Sequence, residues 1–114
     1  MKYFIGNWKM FGIPKSINIL NKINLFHSKD KNRNKYRVII TPPFTLIESY
    51  AKHFLSKRVL IGSQNCYHKD LFSSDTAAIS PYMIKSVGAK YTLIGHSDNR
   101  SEGDNDSALK NKVK

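Results

Sequence analysis

Four short apolar runs recur along this chain, with helical patterns between them. Tyr3-Phe4-Ile5, Tyr36 to Ile40, Arg58 to Ile61 and Tyr91 to Ile94 each stop at a glycine, a polar residue or a proline pair. The runs are apolar at consecutive rather than alternate positions, so both faces of each strand need cover. Such strands belong in a parallel sheet with helices packed over it. The intervening segments supply those helices. Pro14 suits a first helical turn, and Ile17, Leu20, Ile23 and Phe26 form an apolar stripe at three-residue steps. Thr41-Pro42-Pro43 stops the second strand, and Thr45 opens a helix reaching Phe54 or Leu55. Ser80 is an N-cap followed by Pro81, and Gly88 ends that helix. A last helix starts near Asn105-Asp106 and is still in progress at Lys114. The order is βαβαβαβα, an α/β domain over residues 1–114.

Composition narrows the function classes. An apolar share of 40% supports a core, and 11% aromatic residues argue against disorder. The formal charge of +11 invites a nucleic-acid reading, but its distribution weakens it. Fifteen of the nineteen basic residues are lysines spread from Lys2 to Lys114. The densest stretch, Lys29 to Arg37, has no aromatic until Tyr36 and reads as a solvated helix-to-strand loop. Cys66 is the only cysteine, and His27, His53, His68 and His96 are far apart, so no metal or cofactor is expected. No signal sequence or membrane-length apolar run is present, which points to a reducing, cytoplasmic setting.

Chemistry is expected where strands end, because parallel α/β proteins bind ligands at strand carboxyl termini. The first strand ends in Gly6-Asn7-Trp8-Lys9-Met10, which puts an amide and an ammonium side by side. Alone, Lys9 reads as a snorkelling surface lysine. The third strand ends in Ser63-Gln64-Asn65-Cys66, and the fourth in Gly95-His96-Ser97-Asp98. A polar stretch from Tyr67 to Thr76 is long for a connection in a compact domain, and such loops are often functional.

Phe4-Ile5-Gly6-Asn7-Trp8-Lys9-Met10, Ser63-Gln64-Asn65-Cys66, Ile79-Ser80 and Ile94-Gly95-His96-Ser97 resemble successive signatures of triosephosphate isomerase. Gly103-Asp104-Asn105-Asp106 leading to Lys112-Val113 is similar to a fifth. The resemblance implies the first four β/α units of an eight-stranded TIM barrel, a fold of about 250 residues. Residues 1–114 would form its N-terminal half and stop inside the fourth helix. The implied activity interconverts dihydroxyacetone phosphate and D-glyceraldehyde 3-phosphate through an enediol(ate). By the same resemblance His96 is the electrophile, Lys9 the electrostatic catalyst and Asn7 the substrate-binding amide. Asp98 and Ser97 are supporting residues, and Thr76 sits on a loop that reaches into the partner of a homodimer. This family is itself the standard example of a histidine kept neutral by a nearby helix N-terminus.

The departures are specific. Asp98 stands where the family has glutamate, Asn99 where it has arginine, and Ala77-Ala78 where it has Gly-Glu. Ala77 thus occupies a position expected to need positive φ. The family's general-base glutamate, lid and glycine-rich phosphate loops have no counterpart in residues 1–114, so this stretch alone is expected to be inactive. A basic nucleic-acid-binding domain and a different phosphate-handling barrel enzyme are the alternatives.

Overall fold

All four apolar runs form strands, and all of them pair in parallel. The computed structural model describes residues 1–114, with β1 (Lys2–Asn7), β2 (Tyr36–Thr41), β3 (Val59–Ser63) and β4 (Tyr91–Thr92) in the order β1-β2-β3-β4. The register pairs Phe4 with Val38, Ile40 with Ile61 and Gly62 with Tyr91. Gly62 is required there, because a Cβ would lie 2.9 Å from the Tyr91 carbonyl oxygen. Five helices connect or follow the strands: α1 (Ile17–Lys29), α2 (Phe44–His53), α3 (Pro81–Ser86), α4 (Ser97–Ser101) and α5 (Asp106–Val113). None is long and apolar enough to cross a membrane.

Local chemistry sets the helix boundaries. The Ser80 hydroxyl accepts the Met83 N–H (3.2 Å) and Pro81 follows, as the sequence leads one to expect. Gly88 then turns the chain at φ +98°. The Asn105 side chain caps α5 by accepting the Ala108 N–H at 2.9 Å. Two expectations are corrected. The fourth strand is a two-residue ladder rather than Tyr91–Ile94, although the Leu93 N–H still donates to the Ser63 carbonyl at 2.9 Å. The segment after it holds two helices rather than one, because the turn that follows the strand is itself helical over Ser97–Ser101.

The core lies between the sheet and its helices. Leu20 of α1, with Leu46, Ile47 and Tyr50 of α2, packs onto Ile40, Val59 and Ile61 of the strands. The apolar stripe on α1 is also corrected. Phe26 is 72% exposed, whereas His27 is buried. Steps of three fall short of a helical turn, so Ile17 and Phe26 point about 180° apart while Leu20 and His27 nearly coincide. His27 stacks on Tyr36 at 4.5 Å, and its Nε2 meets the Arg33 carbonyl at 3.2 Å.

Edge strand β1 lacks comparable cover on either face. On edge strand β1, Tyr3, Phe4 and Ile5 are about half exposed (51%, 57% and 47%), and Met10 and Phe11 beyond it are more so. Open edges carrying apolar side chains promote strand-to-strand association. We expect the 114-residue chain to form oligomers in light scattering, and Ile5→Lys to shift it toward monomer. A clean monomer for the unaltered chain would contradict this.

Candidate active site

At the carboxyl end of β1 the chain makes a sharp turn that fixes Lys9. The Asn7 Oδ1 accepts the Lys9 N–H at 2.9 Å, leaving the Asn7 –NH2 as the outward donor. Lys9 has φ +55°, a left-handed conformation that side chains other than glycine rarely adopt. Such residues cost about 1–3 kcal/mol and persist only where their surroundings hold them. Gln64, one residue beyond β3, provides that hold. Its Nε2 donates to the Lys9 carbonyl at 2.7 Å and to the Thr41 carbonyl at 3.0 Å. Trp8 packs beneath the loop, edge-on to Tyr50 at 5.7 Å. Gly12 then passes over the indole at φ +119°, where a Cβ would fall 2.8 Å from the ring.

His96 is placed by the start of α4. Gly95 precedes it at φ +71°, and the Gly95 carbonyl accepts the Arg100 Nε–H at 2.9 Å. His96 is itself the N-cap of α4, with its Nδ1 accepting the Asp98 N–H at 3.1 Å. The Asp98 carboxylate is farther from the same nitrogen, at 3.5 Å. The nearer partner is a donor, so Nδ1 is the acceptor and the ring proton sits on Nε2. The Asp98 carboxylate also lies 3.8 Å from the Lys9 ammonium, with both side chains more than half exposed. Such a pair contributes about 0–1 kcal/mol, so it orients Lys9 more than it stabilises the fold.

Asn7, Lys9, His96 and Asp98 thus line one cavity of about 230 Å³, together with Gln64, Asn65 and Asn99. Two other candidates lie elsewhere. Ser97 is the exposed first residue of α4 and does not line this cavity. Thr76 lines a separate cavity of about 350 Å³ with Tyr67, Ala77 and Ile79. Ala77 does adopt positive φ, +65°, as its place in the motif leads one to expect. That loop is drawn in by the Tyr67 N–H, which donates to the Ile79 carbonyl at 2.8 Å. It is clasped by Lys69 and Asp75 at 2.7 Å. The Lys69 ammonium and the Ser73 hydroxyl hold the Asp75 carboxyl down to about 2.

Gln64, Asn65, Asp104 and Lys112, which the sequence marked as parts of family-like segments but without a role, support the site. Gln64 ties β1 and β2 to the end of β3. The Lys112 ammonium of α5 donates to Asp104 at 2.6 Å and to the Asn65 Oδ1 at 2.9 Å. Lys112 is 5% and Asp104 17% exposed, in contrast to the open Lys9–Asp98 pair. The available signal for Gln64 and Asn65 was their position at a strand end, the same placement that picked out Asn7.

Parallel strands joined through helices, with polar side chains gathered at one end, define a β/α-barrel enzyme scaffold. Solved structures agree. Triosephosphate isomerase from Bartonella henselae superposes with a TM-score of 0.89 at 31% identity, over 98% of this chain and 45% of that one. The family model for triosephosphate isomerase matches residues 2–114, and this chain belongs to that family. Triosephosphate isomerase of Wolbachia pipientis wMel is 36% identical over 110 residues, covering 96% of this chain and 43% of the relative. That of Wigglesworthia glossinidia brevipalpis is 37% identical over 97 residues, 84% of this chain and 36% of the relative. The chain therefore spans less than half the length of these curated relatives.

One support of the site and the clasp of the Thr76 loop can be tested. Lys112→Met strands a largely buried carboxylate and should cost about 3–5 kcal/mol in urea unfolding. Asp75 has a lowered pKa, so its contribution is complete above its ordinary value of 3.8 and is lost as pH falls through about 2. Asp75→Asn removes the clasp at every pH and should speed tryptic cleavage after Lys69 several-fold.

Proposed function

We propose that this chain carries the electrophilic wall of a triosephosphate isomerase site, acting on the interconversion of dihydroxyacetone phosphate and D-glyceraldehyde 3-phosphate. The carrying observation is that Asn7, Lys9 and His96, from two separated strand ends, line a single small cavity. Removing a proton beside the substrate carbonyl builds negative charge on its oxygen. Donors fixed in advance stabilise that charge without having to reorganise. In this reading the His96 Nε2–H polarises the carbonyl, because Nδ1 is already engaged by the Asp98 N–H. The Asn7 –NH2 donates to a substrate oxygen. The Lys9 ammonium attracts the phosphate-bearing dianion and holds the developing oxyanion, and Asp98 steers it.

The same reading makes the isolated chain inactive. None of its eight acids stands in the context of the family's general base, and Asp98 is spent on orienting Lys9. Thr76 is proposed to reach into the partner of a homodimer, a role that the positive φ of Ala77 supports. The single cysteine, buried at Cys66, fits a reducing cytoplasmic setting.

Two measurements test the proposal. A phosphorylated carboxylate resembling the enediolate should perturb the NMR signals of Asn7, Lys9 and His96, and Lys9→Met should abolish the response. A coupled isomerase assay on the same chain should stay at the buffer rate. Perturbation elsewhere only, or turnover well above buffer, would overturn the corresponding half of the reading.

A further inference from the structure

The rim opposite the candidate active site gathers positive charge that the isomerase chemistry does not use. A cavity of about 500 Å³ opens at the amino-terminal ends of β2, β3 and β4. Arg33, Arg37, Lys57, Arg58 and Lys90 line it, and no acidic side chain does. Arg37 lies in β2 and the others in the three connections that lead into β2, β3 and β4, so tertiary structure brings them together. Arg33 and Arg37 belong to the dense basic stretch that the sequence presents as a solvated loop. Its fold is more ordered than that. Asp30 ties the loop back by accepting the Tyr36 hydroxyl (2.6 Å) and the Asn32 N–H (3.0 Å).

The three guanidinium groups are held by neutral acceptors. Arg37 donates to the Tyr91 hydroxyl at 3.0 Å, Arg58 to the Asn34 Oδ1 at 2.8 Å and Arg33 to the Asp30 carbonyl at 3.3 Å. Each bond positions a fork without cancelling its charge. A guanidinium has five N–H donors, so most remain available. Like charges held near one another are unfavourable until an anion joins them, and a preset fork loses little entropy on binding.

We propose that this amino-terminal rim binds a compact polyanion bearing several phosphate groups, with inorganic triphosphate as the simplest example. Arginine forks pair bidentately with phosphate oxygens, which fits such a ligand. The cavity, at about 500 Å³, has the size of a small-molecule site. Stacking on a base is disfavoured as well. The Tyr36 ring is already stacked on His27 and meets Phe4 edge-to-face.

The test is calorimetric titration of the 114-residue chain with triphosphate at about 0.15 M ionic strength. Saturable binding near one site per chain is expected, with ATP binding no more tightly than triphosphate. Lys57→Gln combined with Lys90→Gln should weaken it about tenfold, because phosphate contacts of this kind are charge-assisted. Both lysines bond the fold only through their backbone N–H groups, which the substitution keeps, and far-UV circular dichroism checks that the variant is folded. Lys15→Gln with Lys110→Gln removes the same charge away from this cavity, whose lining includes neither residue, and should leave affinity within about twofold, since well-separated exposed charges are screened. Absence of saturable binding, or equal loss in both double variants, would falsify the proposal. Tighter binding of ATP or of single-stranded RNA than of triphosphate would overturn the compact-polyanion assignment.

Discussion

Parallel pairing from β1 to β4 governs what the rest of the molecule can do. Strands that run in one direction deliver their carboxyl ends to one rim, so Asn7, Thr41, Ser63 and Thr92 terminate close together. Each return then needs a crossover, and the crossover helices bury one face of the sheet. The Gln64 amide completes the arrangement by bonding the Lys9 and Thr41 carbonyls at once. Without that common rim, Lys9 and His96 would be 87 residues apart in sequence and unrelated in space.

The two faces of the domain are built on different energetic terms. Its helix side is a packed apolar core around Tyr50 and Leu20, the dominant favourable term in any small fold. On the rim of the candidate site, stability is given up for geometry. Lys9 is held left-handed, its ion pair with Asp98 is exposed, and only Lys112–Asp104 is deeply shielded. Donors fixed in such a way suit a reaction whose main demand is charge stabilisation. The opposite rim shows the same device, with arginines pinned by neutral partners and their charge left for a ligand.

Much of this was legible in the residues. Consecutive apolar positions forecast parallel strands, and Ser80-Pro81 and Gly88 marked α3 correctly because capping is a local matter. The strand-end amide and ammonium at Asn7 and Lys9 drew attention for a physical reason, since that is where such sheets bind ligands. Less legible were features that depend on direction or distance. Three-residue spacing suggested Phe26 for the core, but helical geometry turned it outward and buried His27. The α4 turn was hidden because its cap is the His96 imidazole, a side chain whose capping role depends on rotamer. Lys112 stood in a family-like segment, but its role was not visible until α5 placed it between Asp104 and Asn65.

By itself, the sequence determined the order of strands and helices, the motifs at three strand ends and membership of the triosephosphate isomerase family, because periodicity, capping and short signatures act over a few residues. Tertiary structure alone decided which of those ends share a cavity. It separated Ser97 and Thr76 from it, and it turned a scattered excess of lysine and arginine into one charged rim. The physical reason is range. Side chains dozens of residues apart meet only after the parallel sheet has set their positions, and no local pattern encodes that meeting.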